Sequence, residues 1–267
     1  MNSTNHLYAT ANNFTPIFNS HALKSIFGGE DGNSLLLEKG MLRELETVLF
    51  PGSTLKILEK KFDHIVLIET EEYSSPYSLY TDSRFLQFHH IQPISRLLFL
   101  PPLHKILQKM KNMVGEAYVW GGNCKSIDFM YELYPSKKKW EELGENIQNQ
   151  WTMRGVDCSG LLYYATEGYT PRNTSQLINY GSNVSVSSPL IPLDLIVWKG
   201  HVIVILDENH TIESLGGKGV IITPIKKRIE QIETELLRKR VNNWDENPNI
   251  PENHRYIVKR WYPQLLS

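Results

Sequence analysis

The chain has 267 residues, which at about 150 residues per domain predicts two modest domains, each able to bury a core. Lys+Arg number 28 against 29 Asp+Glu, a net charge of -1, so the broad basic surface that nucleic acid requires is not expected. With 10% aromatic and 21% charged residues the composition is not that of a disordered chain, and its two cysteines, Cys124 and Cys158, exclude a disulfide scaffold and a four-cysteine zinc site while leaving a single disulfide open.

No stretch approaches the roughly 18 apolar residues of a membrane span; residues 195–206 come nearest and are broken by Lys199, Gly200 and His201. Residues 1–20 have no basic start and no apolar run, so no secretory signal is read; if Met1 is the natural start, a cytoplasmic location is expected.

Residues 1–40 are rich in Asn, Ser and Gly and read as loops with one strand at most. Residues 41–49 read as a short helix or a turn into a strand. Leu55, Ile57 and the run 65–68, separated by the polar 60–64, predict two strands of a hairpin, and 77–88 a further strand. A small all-β domain over 1–100 follows. Pro101-Pro102 marks the boundary.

Beyond it, Leu103, Ile106, Leu107, Met110, Met113 and Val114 recur at helical spacing. Residues 136–151 give a second helical stripe, and Cys158, Leu161, Leu162 and Ala165 a third. Strands follow at 194–198 and 201–206 across the two-residue turn Lys199-Gly200, then at 211–214 and 220–223. Residues 225–240 read as an amphipathic helix and 255–261 as a last strand. Helices followed by an antiparallel sheet make an α+β domain over 101–267.

Cys158 opens the third helical stripe. A free cysteine is most often a small buried residue, but a helix start favours anions and is expected to lower the thiol pKa. Its N–H groups also suit an oxyanion. A cysteine nucleophile needs a base, and His201 at the start of a strand qualifies; a surface histidine at a hairpin is the plainer reading. Glu213, 12 residues on and on the adjacent predicted strand, is placed either to orient His201 or to be a solvated strand glutamate.

The order Tyr118-Val119-Trp120-Gly121-Gly122, Asp157-Cys158-Ser159-Gly160-Leu161, Pro171-Arg172, Asp194-Leu195-Ile196-Val197 and His201-Val202 closely resembles the NlpC-type cysteine peptidases, papain-like bacterial enzymes that cut peptidoglycan stem peptides. The resemblance covers about residues 103–262. It implies a papain-like catalytic domain with Cys158 as nucleophile, His201 as base and Glu213 at the third position, often histidine in the family. It also implies no cofactor and no metal. In members that cleave after D-glutamate, the positions matching Tyr118, Asp157, Ser159 and Thr174 line a pocket for a free N-terminal L-alanine. There Asp157 would pair the ammonium, whereas its local alternative is a helix N-cap.

The sequence departs from the family where glycines are usual, at Leu193 and Ile203. The 34 residues between Gly122 and Asp157 are also many more than the family's link, so 123–156 reads as an insertion, either a helix on the flank or a lid over the cleft. Cys124 within it reads as structural. Residues 45–86 faintly resemble a bacterial SH3-like barrel. In relatives of this layout that domain walls the cleft and gives an acidic residue to the alanine amine, for which Glu69, Glu71, Glu72 and Asp82 are candidates. The expected activity is therefore cleavage of the γ-D-glutamyl–diaminopimelate bond of murein peptides. Its competitors are an amidase or acyltransferase of papain-like type and a non-catalytic peptidoglycan-binding module. A reactive thiol without a signal sequence fits a reducing cytoplasm and recycling of small murein peptides.

Overall fold

The computed structural model describes residues 7–32, 34–245 and 249–263, so the start of the 1–40 loop reading lies partly outside the described residues. In chain order, β1 (Leu7–Ala11), β2 (Thr15–Phe18), α1 (Leu23–Ile26), β3 (Leu45–Leu49), β4 (Thr54–Lys60), β5 (Ile65–Glu69), β6 (Leu79–Asp82) and β7 (Leu86–His89) precede α2 (Leu103–Lys111). Then come β8 (Asn123–Cys124), α3 (Phe129–Leu133), α4 (Glu145–Trp151), β9 (Gly155–Val156), α5 (Cys158–Ala165), α6 (Thr174–Leu177) and β10 (Ser182–Asn183). The chain ends with β11 (Leu195–Trp198), β12 (His201–Ile205), β13 (His210–Leu215), β14 (Gly219–Pro224), α7 (Ile225–Thr234), β15 (Lys239–Val241) and β16 (Arg255–Arg260). Two compact units form: residues 1–98 with 119–156, and residues 99–118 with 157–267.

The first unit is a seven-stranded antiparallel sheet in the order β3-β2-β6-β5-β4-β1-β7. Its end strands β3 and β7 are not paired with each other, so among the described residues the sheet is not the closed barrel that an SH3-like domain implies. The early residues hold two strands where the sequence suggested loops. β1 pairs with β4 and β7, and β2 with β3 and β6, partners that local pattern does not reveal. The strand expected over 77–88 is divided by a 3-10 turn at Ser83–Phe85, where the Asp82 carboxylate accepts from the Arg84 N–H at 2.9 Å.

Segment 123–156 belongs to this unit's core. Trp151, Met153, Met130 and Cys124 pack with Phe18, Leu23, Phe27, Leu42 and Leu45. Trp151 Nε1 donates to the Tyr134 carbonyl at 2.9 Å, and Tyr134 stacks on Phe27 at 5.0 Å. The buried Asn123 side chain acts as a further strand residue for β3: its Oδ1 accepts from Val48 N–H at 2.9 Å and its Nδ2 donates to the Val48 carbonyl at 2.7 Å. The single helix expected over 136–151 is instead a 3-10 turn at Trp140–Glu142 and α4. Lys139, Leu143 and Gly144 have extended backbone, which interrupts the helical turns. Gly121-Gly122 has a structural reason here: a Cβ on Gly121, at φ +70°, would lie 2.3 Å from the Leu45 carbonyl oxygen, and one on Gly122 2.6 Å from that of Gly155.

The second unit has strand order β10-β16-β11-β12-β13-β14, with β15 parallel to β16 on its edge. α5 packs against β12 and β13 and against α2. Gly200 turns the β11–β12 hairpin at φ +95°, as the sequence suggested. The helix expected over 225–240 ends at Thr234, because Leu237 turns left-handed at φ +52° and residues 239–241 join the sheet.

Leu193 keeps the backbone of the glycine it replaces, with φ +70°, while its side chain is fully buried. A left-handed L-residue costs about 1–2 kcal/mol, whereas deleting a buried leucine side chain costs about 2–5 kcal/mol. Burial outweighs strain, so Leu193→Gly is expected to lower stability by about 1–3 kcal/mol, read from urea unfolding midpoints; a rise in midpoint would contradict it.

Candidate active site

Asp157 ends an extended segment and N-caps α5: its Oδ1 accepts from the Gly160 N–H at 2.6 Å, and its own carbonyl accepts the first helical bond, from Leu161, at 3.0 Å. This places Cys158 at the first helical position, where the backbone N–H has no partner within the helix. The thiol is buried and lies against the residues flanking His201. Sγ is 3.9 Å from the Gly200 carbonyl, and the Val202 and Ser159 N–H groups are directed at it.

His201 opens β12. Carried one residue on, the register that pairs Val204 with Ile212 puts Glu213 opposite Ile203 and so diagonal to His201 on the same face, within reach of long side chains. His201 Nε2 and Glu213 Oε2 are 2.7 Å apart. A carboxylate only accepts, so Nε2 carries the proton and Nδ1 is the free base of the neutral ring. Trp198, paired with His201 across the hairpin, lies against the imidazole with ring centroids 5.1 Å apart and planes tilted by 41°.

Arg228 of α7 completes the arrangement. Its Nε donates to Glu213 Oε1 at 2.6 Å and its Nη2 to Oε2 at 2.8 Å, both ends being buried. Burial pushes the Glu213 carboxyl up, but the hydrogen bonds and charges of His201 and Arg228 outweigh it and hold the group below its ordinary value.

Ser159 and Asp157 form a second buried pair with Arg172. Its Nη1 donates to Asp157 Oδ1 at 3.0 Å and Ser159 Oγ at 2.9 Å, and its Nη2 to Asp157 Oδ2 at 2.7 Å. Of the two roles weighed for Asp157 the structure displays the helix cap, and the carboxylate's charge is balanced within the protein by Arg172. Thr174 Oγ1 accepts from the Gly200 N–H at 3.1 Å, tying the start of α6 to the turn that touches Cys158. Tyr118 is half-buried at the end of residues 115–118, which run beside β14 through bonds between Gly115 and Val220 and between Val220 and Glu116, each 2.9 Å.

One expectation is reversed. The pull of the helix start on the Cys158 thiol is outweighed; burial, with the Asp157 carboxylate, pushes it up to about 12, against the opposing Val202 and Ser159 N–H groups and Arg172. The resting thiol is protonated, so a nucleophile forms only as a base takes that proton. Arg228 is the functional side chain that sequence reasoning missed. It sits in a helix read only for its apolar stripe, and nothing local signals a bond to a carboxylate 15 residues back. Arg172 stood within a recognised motif but carried no role there.

Among the acidic residues proposed for the first unit, Asp82 is buried between Arg84 and the Tyr134 hydroxyl, and Glu72 pairs with Arg96 at 2.7 Å. Glu69 sits 3.7 Å from Lys56 and Glu71 is exposed. Both cysteines are free thiols, and Cys124 is buried with its Sγ 3.5 Å from the Met153 carbonyl. Among the described residues no helix is long and apolar enough to cross a membrane, and no group of three or more His, Cys, Asp or Glu is placed to hold a metal.

A cysteine at a helix start, next to the residues that flank the histidine of a histidine–carboxylate pair on an antiparallel sheet, is the class of site found in papain-like cysteine hydrolases. Residues 115–239 match the NlpC/P60 family. No curated protein matches the chain. Among solved structures it is similar to an NlpC/P60 family protein from Bacillus cereus, at 15% identity and TM-score 0.37, over 97% of this chain and 65% of that one. NlpC2 from Trichomonas vaginalis is similar at 13% identity and TM-score 0.35, over 97% and 74% of the two chains. RipD from Mycobacterium tuberculosis, a non-catalytic NlpC/p60 domain protein adapted to peptidoglycan binding, is similar at 22% identity and TM-score 0.33, over 48% and 90%. The chain thus spans just under two thirds of the Bacillus cereus protein.

Proposed function

We propose that the protein is a cysteine endopeptidase cleaving the γ-D-glutamyl–diaminopimelate bond of murein peptides. The observation that carries this reading is the 2.7 Å His201–Glu213 bond on the sheet face that α5 covers, with the Cys158 thiol seated between the residues flanking His201. His201 Nδ1 takes the thiol proton as sulfur attacks the γ-carbonyl carbon, and the Cys158 N–H donates to the oxyanion. The tetrahedral intermediate collapses to a thioester as the imidazolium gives its proton to the leaving amine. Water, deprotonated by the same imidazole, then releases L-Ala–γ-D-Glu and restores the thiol.

Glu213, held by Arg228, fixes the ring's tautomer and stabilises its charged form. Tyr118, Ser159 and Thr174 form the pocket for the N-terminal alanine, and Asp157 shares its carboxylate between Arg172 and the substrate ammonium. Two free thiols suit a reducing compartment, which agrees with recycling of small murein peptides in the cytoplasm. The SH3-like assignment of residues 45–86 forms part of this reading and rests on its motif traces.

Cys158→Ala is expected to reduce dipeptide release from a defined stem peptide by about 10⁴-fold or more, followed by mass spectrometry. Release at the wild-type rate would refute the assignment. Release by neither protein, with the peptide still bound, would favour the binding-module alternative.

A further inference from the structure

Arg238, between α7 and β15, is a half-buried cation with no acidic partner among the described residues. Its guanidinium lies over the Trp198 ring, with Cζ 4.8 Å from the centroid, and Nη1 donates to the Arg255 carbonyl at 3.1 Å. Nε is buried and without a hydrogen-bond partner. The two guanidiniums beside the proposed catalytic residues each have a carboxylate: Arg172 has Asp157 and Arg228 has Glu213. Burial lowers the Arg238 pKa, and no acidic group among the described residues opposes it. A charge held half out of water and unpaired is a standing cost unless a ligand supplies the counter-charge.

Its position says which part of a substrate that would be. Trp198 touches both partners, with its ring 5.1 Å from the His201 imidazole and 4.8 Å from Arg238 Cζ. In the proposed reaction the acyl group is carried by Cys158 and the leaving amine takes its proton from His201. The residue bearing that amine therefore lies on the imidazole side, where Trp198 and then Arg238 follow. Diaminopimelate carries a carboxylate six bonds from the leaving nitrogen, and a chain of six bonds extends about 7 Å, the length of two backbone residues. Lysine has the same reach but ends in an ammonium alone.

We infer that Arg238, backed by Trp198, forms a carboxylate subsite for the far end of the leaving residue and selects diaminopimelate over lysine there. The inference rests on the proposed endopeptidase reading and deepens it. A guanidinium fits a carboxylate through two parallel N–H donors and repels a lone ammonium, so both contacts favour the same substrate.

The test separates binding from catalysis. Calorimetry on full-length Cys158→Ala measures affinity for L-Ala–γ-D-Glu–meso-diaminopimelate and L-Ala–γ-D-Glu–L-Lys, which differ only in the far carboxylate. The diaminopimelate peptide is expected to bind about tenfold or more tightly, as a charge-assisted pair implies. Arg238→Gln on the same background should remove the difference while leaving the lysine peptide within about twofold, and Arg238→Lys should retain part of it. Equal affinities in Cys158→Ala, binding of neither peptide, or a preference that survives Arg238→Gln would overturn the inference. Hydrolysis by the wild-type protein, assayed separately, reads the endopeptidase proposal: preferential binding without cleavage would sink that reading and leave the subsite standing.

Discussion

Replacing Arg228 by methionine is expected to remove about 3–5 kcal/mol of stability at neutral pH and most of the peptidase activity. The magnitude follows from what is left behind. Glu213 is wholly buried and both its oxygens are bonded to the guanidinium, so the variant strands a carboxylate with only His201 as partner. The pH dependence carries the sign. In the wild type the Glu213 pKa is held below its ordinary value, so its contribution is fully present above the unfolded carboxyl pKa and is lost as pH falls through the lower folded value. Without Arg228 the largest remaining influence is burial, which raises that pKa, and the folded protein takes up a proton at the Glu213–His201 pair. The deficit relative to wild type should therefore shrink between about pH 7 and pH 5. Urea unfolding of both proteins across that range checks it, and a deficit that stays constant or grows on acidification would contradict the assigned role.

The sequence carried the chemistry of the site more fully than its electrostatics. Cys158, His201 and Glu213 could be read from a helix start and two successive strands because those elements are consecutive in the chain. The β12–β13 hairpin turns a spacing of 12 residues into a 2.7 Å contact. The arginines that balance the two buried carboxylates were not legible in role. Arg172 and Arg228 act across loops and between elements, and one arginine among 28 basic residues looks like any other until its partner is known. The same contrast runs through the fold. Hairpins such as β4–β5 and β11–β12 follow from local alternation and a turn, whereas β1 and β2 owe their existence to partners some 30 to 80 positions away. The thiol pKa was misjudged for a related reason. A helix start is visible in a sequence, but the burial and neighbouring carboxylate that dominate at Cys158 are properties of the packed structure.

Asp157→Asn should have two effects of opposite kind, a less stable protein with a more reactive thiol. Asparagine caps a helix about as well as aspartate, so the cap bond to Gly160 survives nearly intact. Arg172, however, is buried and loses its charged partner, and about 3–5 kcal/mol of stability should go with it. At Cys158 the change runs the other way. The Asp157 charge helps burial to hold the thiol at about 12, while Arg172 acts to lower it; removing the first leaves burial alone against the second. Each unit of fall in thiol pKa multiplies the thiolate fraction about tenfold, and the weaker nucleophilicity of a less basic thiolate returns about a third to a half of that gain on a logarithmic scale. Alkylation of Cys158 by iodoacetamide at pH 8 is thus expected to quicken by about threefold or more, resolved from Cys124 by peptide mass mapping. Cys124 is fully buried and serves as the control, since labelling there rises only if the chain opens. Faster alkylation at Cys158 with Cys124 still protected supports the electrostatic account. Unchanged or slower alkylation in a folded Asp157→Asn protein would mean that burial alone sets the thiol, and that Asp157 serves Arg172 and the helix cap without governing the nucleophile.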